Sequence, residues 1–342
     1  MKHRLAIVGF GNVGQGLVSI LAEKRQALAL EHGFEFDIVA VTDLKMGSIR
    51  DPRGLDLQAL LSLRSDRFEA QPTAGSRTDA LTVIRECDAT VVVEATYTDL
   101  ETAEPATSHI KAAFETGKHV VTTNKGPLAL HYPELTELAK TRNLEFRFEG
   151  TVMSGTPLLS LGMRNLSGCE IREIRGILNG TTNFILTQME KGVSYEEALK
   201  KAQELGYAEA DPTGDVEGFD TMGKVLILSN VFMGGTLKVA DIRRKGIKGI
   251  SLDEVRRAAS EGKRWKLLGS VRRDGSSVVG SVGPEMLPLA NPLASVAGAT
   301  NAAQFATDLL GEITIVGAGA GRKETGFAVL SDLLDIHREI AP

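Results

Sequence analysis

A short apolar run, Arg4 to Val8, passes through G-F-G-N-V-G at Gly9 to Gly14 into a long helical pattern, Val13 to Leu30, an order that leaves few folds open. The run is too short for a helix and suits a strand buried on both faces. A strand that turns directly into a helix sends the chain back across a sheet, so the next strand lies parallel to the first. The later sequence agrees. Phe36 to Thr42 predicts a second strand closed by Asp43, and A-T-V-V-V-E-A at Ala89 to Ala95 predicts a third. His109 to Thr116 predicts a helix stopped by Gly117, His119 to Thr122 a strand, Pro133 to Thr141 a helix and Leu144 to Phe148 a last strand. Strands alternating with helices over the first 150 residues predict an α/β fold with a Rossmann-like, doubly wound parallel sheet.

A strand before the glycines and a helix after them make the turn a dinucleotide-binding signal. Gly9, Gly11, Asn12, Val13 and Gly14 would approach the pyrophosphate, which the helix N-terminus stabilises. Asp43, 29 residues after Gly14, stands where a carboxylate takes the adenosine ribose hydroxyls and favours NAD. Lys45 and Arg50 follow closely and would suit the extra phosphate of NADP. Both cofactors stay open.

At 342 residues two domains are expected. The pattern changes after Glu149. Ser194 to Gly206 carries a capping box, Ser194 with Glu197, and ends in glycine; Asp220 to Met233 is a second helix, and Val271 to Val279 a hairpin around Asp274-Gly275. The expectation is a dinucleotide-binding domain at 1–150, completed by a C-terminal segment 317–342 with a helix at Lys323 to Ile340, and an α+β substrate and dimerisation domain at 151–316. A balance of 39 basic against 44 acidic side chains argues against a nucleic-acid surface. Two cysteines, Cys87 and Cys169, exclude a disulfide framework, and the six histidines lack metal-ligand spacing. With no signal peptide and no apolar run long enough for a bilayer, a soluble cytoplasmic protein is expected.

One stretch has more chemistry than structure requires. G-Y-A-E-A-D-P-T-G-D-V-E-G-F-D-T-M-G-K packs Glu209, Asp211, Asp215, Glu217 and Asp220 ahead of Lys224. Pro212, Gly214 and Gly218 break its first half into turns. Its second half is helical, so Asp220 and Lys224 share a helix face. An acidic surface loop with one ion pair fits this composition, and so does a site that holds and protonates a small charged substrate.

From these blocks the chain resembles homoserine dehydrogenase over nearly its whole length. G-I-L-N-G-T-T-N-F-I-L at Gly176 to Leu186, followed by the acidic stretch, is the specific pair; V-V-V-E-A-T at Val91, V-T-T-N-K at Val121 and G-A-G-A-G at Gly317 are weaker matches. The resemblance implies oxidoreduction between L-homoserine and L-aspartate 4-semialdehyde with a nicotinamide cofactor. It implies that Glu209 and Asp220 bind substrate, that Lys224 is the acid/base and that Lys125 is a second active-site lysine beside the nicotinamide. It implies cofactor contacts at Thr96 and Gly321, and association into a homodimer. F-E-G-T-V-M-S-G-T-P at Phe148 resembles the family's sodium site, with Glu149, Val152, Ser154 and Thr156 at the matching positions and Met153-Ser154 replacing the usual glycine-alanine pair. No regulatory domain is expected before the glycine turn or after the final glycine cluster.

A lysine exchanges a proton near neutrality when burial or a second cation lowers its pKa, a part Lys125 would play for Lys224 while Asp220 opposes it. Asp215 would join Glu209 on the substrate ammonium, or hydrogen-bond its own turn. Thr181 or main-chain amides would take the substrate carboxylate. Asp211 and Glu217 are assigned to solvent. Two rival readings are a related amino-acid dehydrogenase and a nicotinamide-binding redox sensor without turnover. The latter would not need Lys125, Glu209, Asp220 and Lys224 together.

Overall fold

The computed structural model describes residues 1–63, 79–235 and 237–340. The chain divides into two compact units, Met1–Gly155 with Gly321–Pro342, and Thr156–Ala320.

The first unit is built on a six-stranded sheet. Its strands are β1 (Lys2–Val8), β2 (Glu35–Asp43), β3 (Gly47–Arg50), β4 (Val91–Glu94), β5 (His119–Thr122) and β6 (Phe146–Arg147), in the order β3-β2-β1-β4-β5-β6. All neighbours are parallel except β3, which runs antiparallel to β2. The parallel sheet expected from sequence therefore acquires a hairpin at its edge. The cause is local: Asp43 Oδ1 accepts from the N–H groups of Lys45 (2.9 Å) and Met46 (3.2 Å), and Gly47 takes φ 83°, which folds the chain straight back. The last strand is also shorter than expected, two residues rather than the span from Leu144 to Phe148.

β1 passes into the helix Asn12–His32, whose Leu17, Val18, Ile20, Leu21 and Leu28 are buried. They join Leu5, Ile7, Phe36, Ile38, Val91 and Val93 in one core with Val329, Leu333 and Ile336 of the terminal helix Arg322–Ile340. The terminal helix approaches the first very closely. A Cβ on Gly16 would fall 2.1 Å from the Arg322 carbonyl oxygen, and one on Gly326 would fall 2.6 Å from the backbone of Gly16. Glycines on both helices permit that contact.

The second unit has its own six-stranded sheet, of β7 (Ile171–Ile177), β8 (Arg243–Arg244), β9 (Lys263–Asp274), β10 (Ser277–Pro288), β11 (Thr300–Thr307) and β12 (Gly311–Ala318), ordered β12-β11-β7-β9-β10-β8. It is antiparallel apart from the short β10–β8 pair. The β9–β10 hairpin turns at Gly275 as the Asp274-Gly275 pair predicts. The helices Gly180–Glu190, Tyr195–Glu204 and Phe219–Phe232 belong to this unit. Ser194 and Glu197 form the expected capping box, with Ser194 N–H donating to the Glu197 carboxylate at 3.2 Å. Gly269 on β9 lets the helix Phe219–Phe232 settle onto the sheet; a Cβ there would lie 2.8 Å from the side chains of Thr221 and Val225. Lys224 is carried on this closely seated helix.

Candidate active site

In the first unit the strand ends that meet at the switch in strand order are those of β1 and β4, where open parallel sheets bind ligands. Gly9 has φ 96°, and a Cβ on it would sit 2.4 Å from the Ala95 carbonyl oxygen. A Cβ on Gly14 would sit 2.5 Å from the Gly9 oxygen. These two glycines are required by the protein itself. Gly11 differs: a Cβ there would meet nothing within 4 Å. Its open side adjoins the N-terminus of a 21-residue helix that has no side-chain cap and no acidic residue in its first turn. Asn12 and Val13 are the first residues of that helix. Main-chain N–H groups at a positive helix end, with no acidic residue in the first turn, fit a pyrophosphate.

Asp43 already holds this turn. Its Oδ2 accepts from Phe10 N–H at 2.9 Å while Oδ1 takes the β2–β3 turn. Lys45 is exposed, and Arg50 pairs with Glu86 at 3.0 Å. At the end of β4, Glu94 is fully buried. It accepts from the N–H (3.2 Å) and hydroxyl of Thr96 and from the Thr122 hydroxyl at 3.2 Å. Asn124 donates through Nδ2 to the carbonyl oxygen of Tyr97 (2.8 Å), and its Oδ1 accepts from Gly126 N–H (3.1 Å). Thus Lys125 opens a short helix, Lys125–Leu130, rather than sitting in a loop, and its start is fixed to the end of β4. Gly321, with φ 140°, leads into the terminal helix.

Glu149 is buried, and its main-chain N–H donates to Asp332 Oδ2 at 2.9 Å. Val152, Met153 and Ser154 are buried too, and Met153 and Ser154 both take left-handed backbone, φ 61° and 54°. Non-glycine residues adopt that region at a cost. The turn thus keeps a backbone shape suited to glycine where the sequence has none. The Ser154 hydroxyl lies 2.7 Å from that of Thr325. Thr156, in the second unit, donates to the Ala318 carbonyl oxygen at 3.0 Å. Among the described residues no group of three or more His, Cys, Asp or Glu side chains is placed to hold a metal ion.

In the second unit β7 ends at Ile177, and the next two residues build the acidic site. Lys224 is buried, and its Nζ donates to the Leu178 carbonyl oxygen (2.5 Å) and to Asp220 Oδ2 (2.7 Å). Asn179 caps the helix Gly180–Glu190 through Oδ1 and donates through Nδ2 to Asp215 Oδ1 (2.6 Å) and Asp220 Oδ2 (2.9 Å). Burial pushes the pKa of Asp215 up and the neighbouring Asp220 adds to this, while the hydrogen bond from Asn179 pulls it down. Asp215, Asp220 and Lys224 therefore form one cluster.

Thr181 adjoins this cluster: its hydroxyl lies 2.6 Å from the Tyr207 carbonyl oxygen and also hydrogen-bonds the Asp215 carboxylate. Glu209 is exposed, and its carboxylate takes no part in the cluster's hydrogen bonds. Asp211 is exposed and holds Thr213 N–H at 3.0 Å. Glu217, assigned to solvent from sequence, is half-buried under the turn, where its carbonyl oxygen accepts from Arg244. Sequence reasoning missed Asn179, the Leu178 carbonyl, Glu94 and Asn124. For Asn179 a signal was present, an N-cap residue three places before Thr182.

A family model described as homoserine dehydrogenase matches residues 157–334, and one described as homoserine dehydrogenase, NAD binding domain, matches residues 9–149. The chain is 48% identical over 340 residues to the NAD(+)-dependent homoserine dehydrogenase of Pseudomonas canavaninivorans, covering 98% of this chain and 97% of that one. It is 45% identical over 336 residues to the homoserine dehydrogenase of Methanocaldococcus jannaschii, with 97% and 98% covered. A hyperthermophilic archaeal homoserine dehydrogenase mutant, solved in complex with NADPH, superposes with a TM-score of 0.85 at 31% identity and 99% of each chain covered. Among the described residues no helix is long and apolar enough to cross a membrane.

Proposed function

The chain belongs to the homoserine dehydrogenase family, NAD(P)-dependent oxidoreductases that interconvert L-homoserine and L-aspartate 4-semialdehyde, and on that premise we propose how its residues divide the reaction. The proton is carried by Lys224. An ammonium has three donors, and two of those on Lys224 are spent on Asp220 and the Leu178 carbonyl. The third is directed to the substrate oxygen. In reduction it protonates the oxygen that gains charge, and in oxidation the neutral amine takes the hydroxyl proton. The nicotinamide, when bound, supplies or accepts the hydride at the adjacent carbon. The buried Lys224 held from two sides is the observation that carries this reading.

Asp215 and Asp220 pair with the substrate ammonium, with exposed Glu209 drawing it in. Since the Thr181 hydroxyl is engaged by Tyr207 and Asp215, the substrate carboxylate goes to the N–H groups of Gly180 and Thr181 at the helix start. Lys125 acts as the second catalytic lysine, from the first turn of its short helix. Cofactor contacts are assigned to the 9–14 turn, Asp43, Thr96 and Gly321. NAD is preferred over NADP, because Asp43 is held at the end of β2 as an acceptor and Arg50 is engaged by Glu86. Glu149 and the carbonyls of Val152 and Ser154 hold a monovalent cation, sodium, on the left-handed turn. The protein is cytoplasmic and homodimeric. Support for the dimer comes from β12, an edge strand with Val316 exposed and Ile313 and Ile315 half-buried.

Initial rates of nicotinamide reduction with L-homoserine test the reading, with NAD against NADP and sodium against choline salts, and light scattering gives the oligomer. Turnover with homoserine, faster with NAD and with sodium present, is expected. Absence of homoserine-dependent reduction with either cofactor contradicts it.

A further inference from the structure

We propose that Asn179 is a positioning residue for the reaction, a neutral clamp that holds Asp215 and Asp220 together on Lys224. The proposal rests on the reading of Lys224 as proton carrier. The amide is oriented from both ends. Oδ1 accepts from the N–H (2.9 Å) and hydroxyl (3.0 Å) of Thr182, so the nitrogen end must face the carboxylates. Its two N–H bonds are then divided, one to Asp215 Oδ1 at 2.6 Å and one to Asp220 Oδ2 at 2.9 Å. Asp220 Oδ2 also accepts from Lys224 at 2.7 Å, and Lys224 returns to the carbonyl of Leu178, the residue before Asn179. The bonds close into a ring through the backbone.

Two carboxylates brought this near repel each other, and a shared donor between them offsets that repulsion without adding charge. Neutrality matters here. Two carboxylates and one ammonium leave the cluster with a net charge of −1, which complements the ammonium of an amino-acid substrate. A lysine or arginine at position 179 would cancel it. The amide also opposes the effect of burial on Asp215, in the same sense as Lys224 and the Thr181 hydroxyl and against Asp220. Because the same side chain caps the helix Gly180–Glu190, the helix start and the two carboxylates are set by one group.

Asn179→Ser separates the two tasks. Serine caps a helix about as well as asparagine, but its hydroxyl is too short to reach both carboxylates. The melting temperature and the KM for NAD should stay near the parent values. With homoserine, kcat should fall roughly 10- to 100-fold, as expected when reacting groups lose their alignment. Asn179→Thr also keeps a capping oxygen, adds no charge and is too short to reach both carboxylates; it carries the same expectation and replaces the serine variant should that fold poorly. Parental kcat in a folded variant of either kind overturns the clamp. Lys224→Met is assayed beside them. If it is inactive while the position-179 variants turn over normally, the clamp alone fails; if it is active, the reading beneath the clamp fails.

Discussion

Acid should loosen the first unit through a histidine that is far from the glycine turn. His3 on β1 is 1% exposed and stacks on Phe34 with ring centroids 5.1 Å apart. Its Nε2 lies 3.0 Å from Nδ1 of His337, whose Nε2 lies 3.2 Å from the His32 carbonyl oxygen. A carbonyl only accepts, so His337 donates from Nε2, accepts at Nδ1, and receives the proton of His3 Nε2. His3 keeps its Nε2 proton in either charge state, so it is chiefly burial that disfavours the charged ring. Burial, then the His337, His119 and N-terminal charges, lower the pKa of His3 from 6.5 to about 4. The folded pKa is depressed below the unfolded one, so the stabilisation is full above pH 6.5 and is lost as pH falls toward 4. At about 1.4 kcal/mol per unit the whole loss is about 3 kcal/mol. His3→Gln keeps a donor toward His337 and cannot titrate. Urea unfolding followed by circular dichroism, from about pH 7 down to about pH 4, should show the parent losing about 3 kcal/mol more than the variant. Carboxylates titrate alike in both proteins, so the difference isolates His3. Parallel loss of stability in the two would show that His3 is not the titrating group.

Three further outcomes follow from the packing. Gly9→Ala puts a Cβ 2.4 Å from the Ala95 oxygen at a positive φ and should cost at least about 2 kcal/mol in thermal unfolding. Gly11→Ala, whose Cβ meets nothing within 4 Å, should melt within about 0.5 kcal/mol of the parent yet raise the KM for NAD about tenfold or more. Lys266 is buried, donates to Asn183 Oδ1 (3.1 Å) and the Val296 carbonyl oxygen (2.7 Å), and lies 3.8 Å from Glu190. Lys266→Met should cost about 3 kcal/mol, read by the fluorescence of the single tryptophan, Trp265, in urea.

What could be read from sequence was local. The glycine turn, the strands through Val8, Thr42, Glu94 and Thr122, the Ser194–Glu197 box and the Asp274-Gly275 hairpin each depend on residues a few places apart. The second sheet was largely missed because β11 and β12 carry Asn301, Gln304, Glu312 and Thr314 among their apolar positions, which blurs the alternation. The β3 hairpin was missed because Asp43 was assigned to a ligand while its second oxygen makes the turn. The acidic stretch marked Asp220 and Lys224 by helical spacing. Asn179, 36 and 41 positions from the two carboxylates it binds, had no such spacing to reveal it. His3 and His337 meet across 334 positions and left no pattern at all.

Lys224, the proposed proton carrier, is open to a direct test. Lys224→Met keeps an apolar stem of similar length in the buried site and removes the ammonium. Steady-state oxidation of L-homoserine with NAD should show kcat reduced about 10²- to 10⁴-fold, the range expected for loss of a general acid/base, with the KM for NAD unchanged. A folded Lys224→Met protein that oxidises homoserine at the parental kcat would show that Lys224 does not carry the proton.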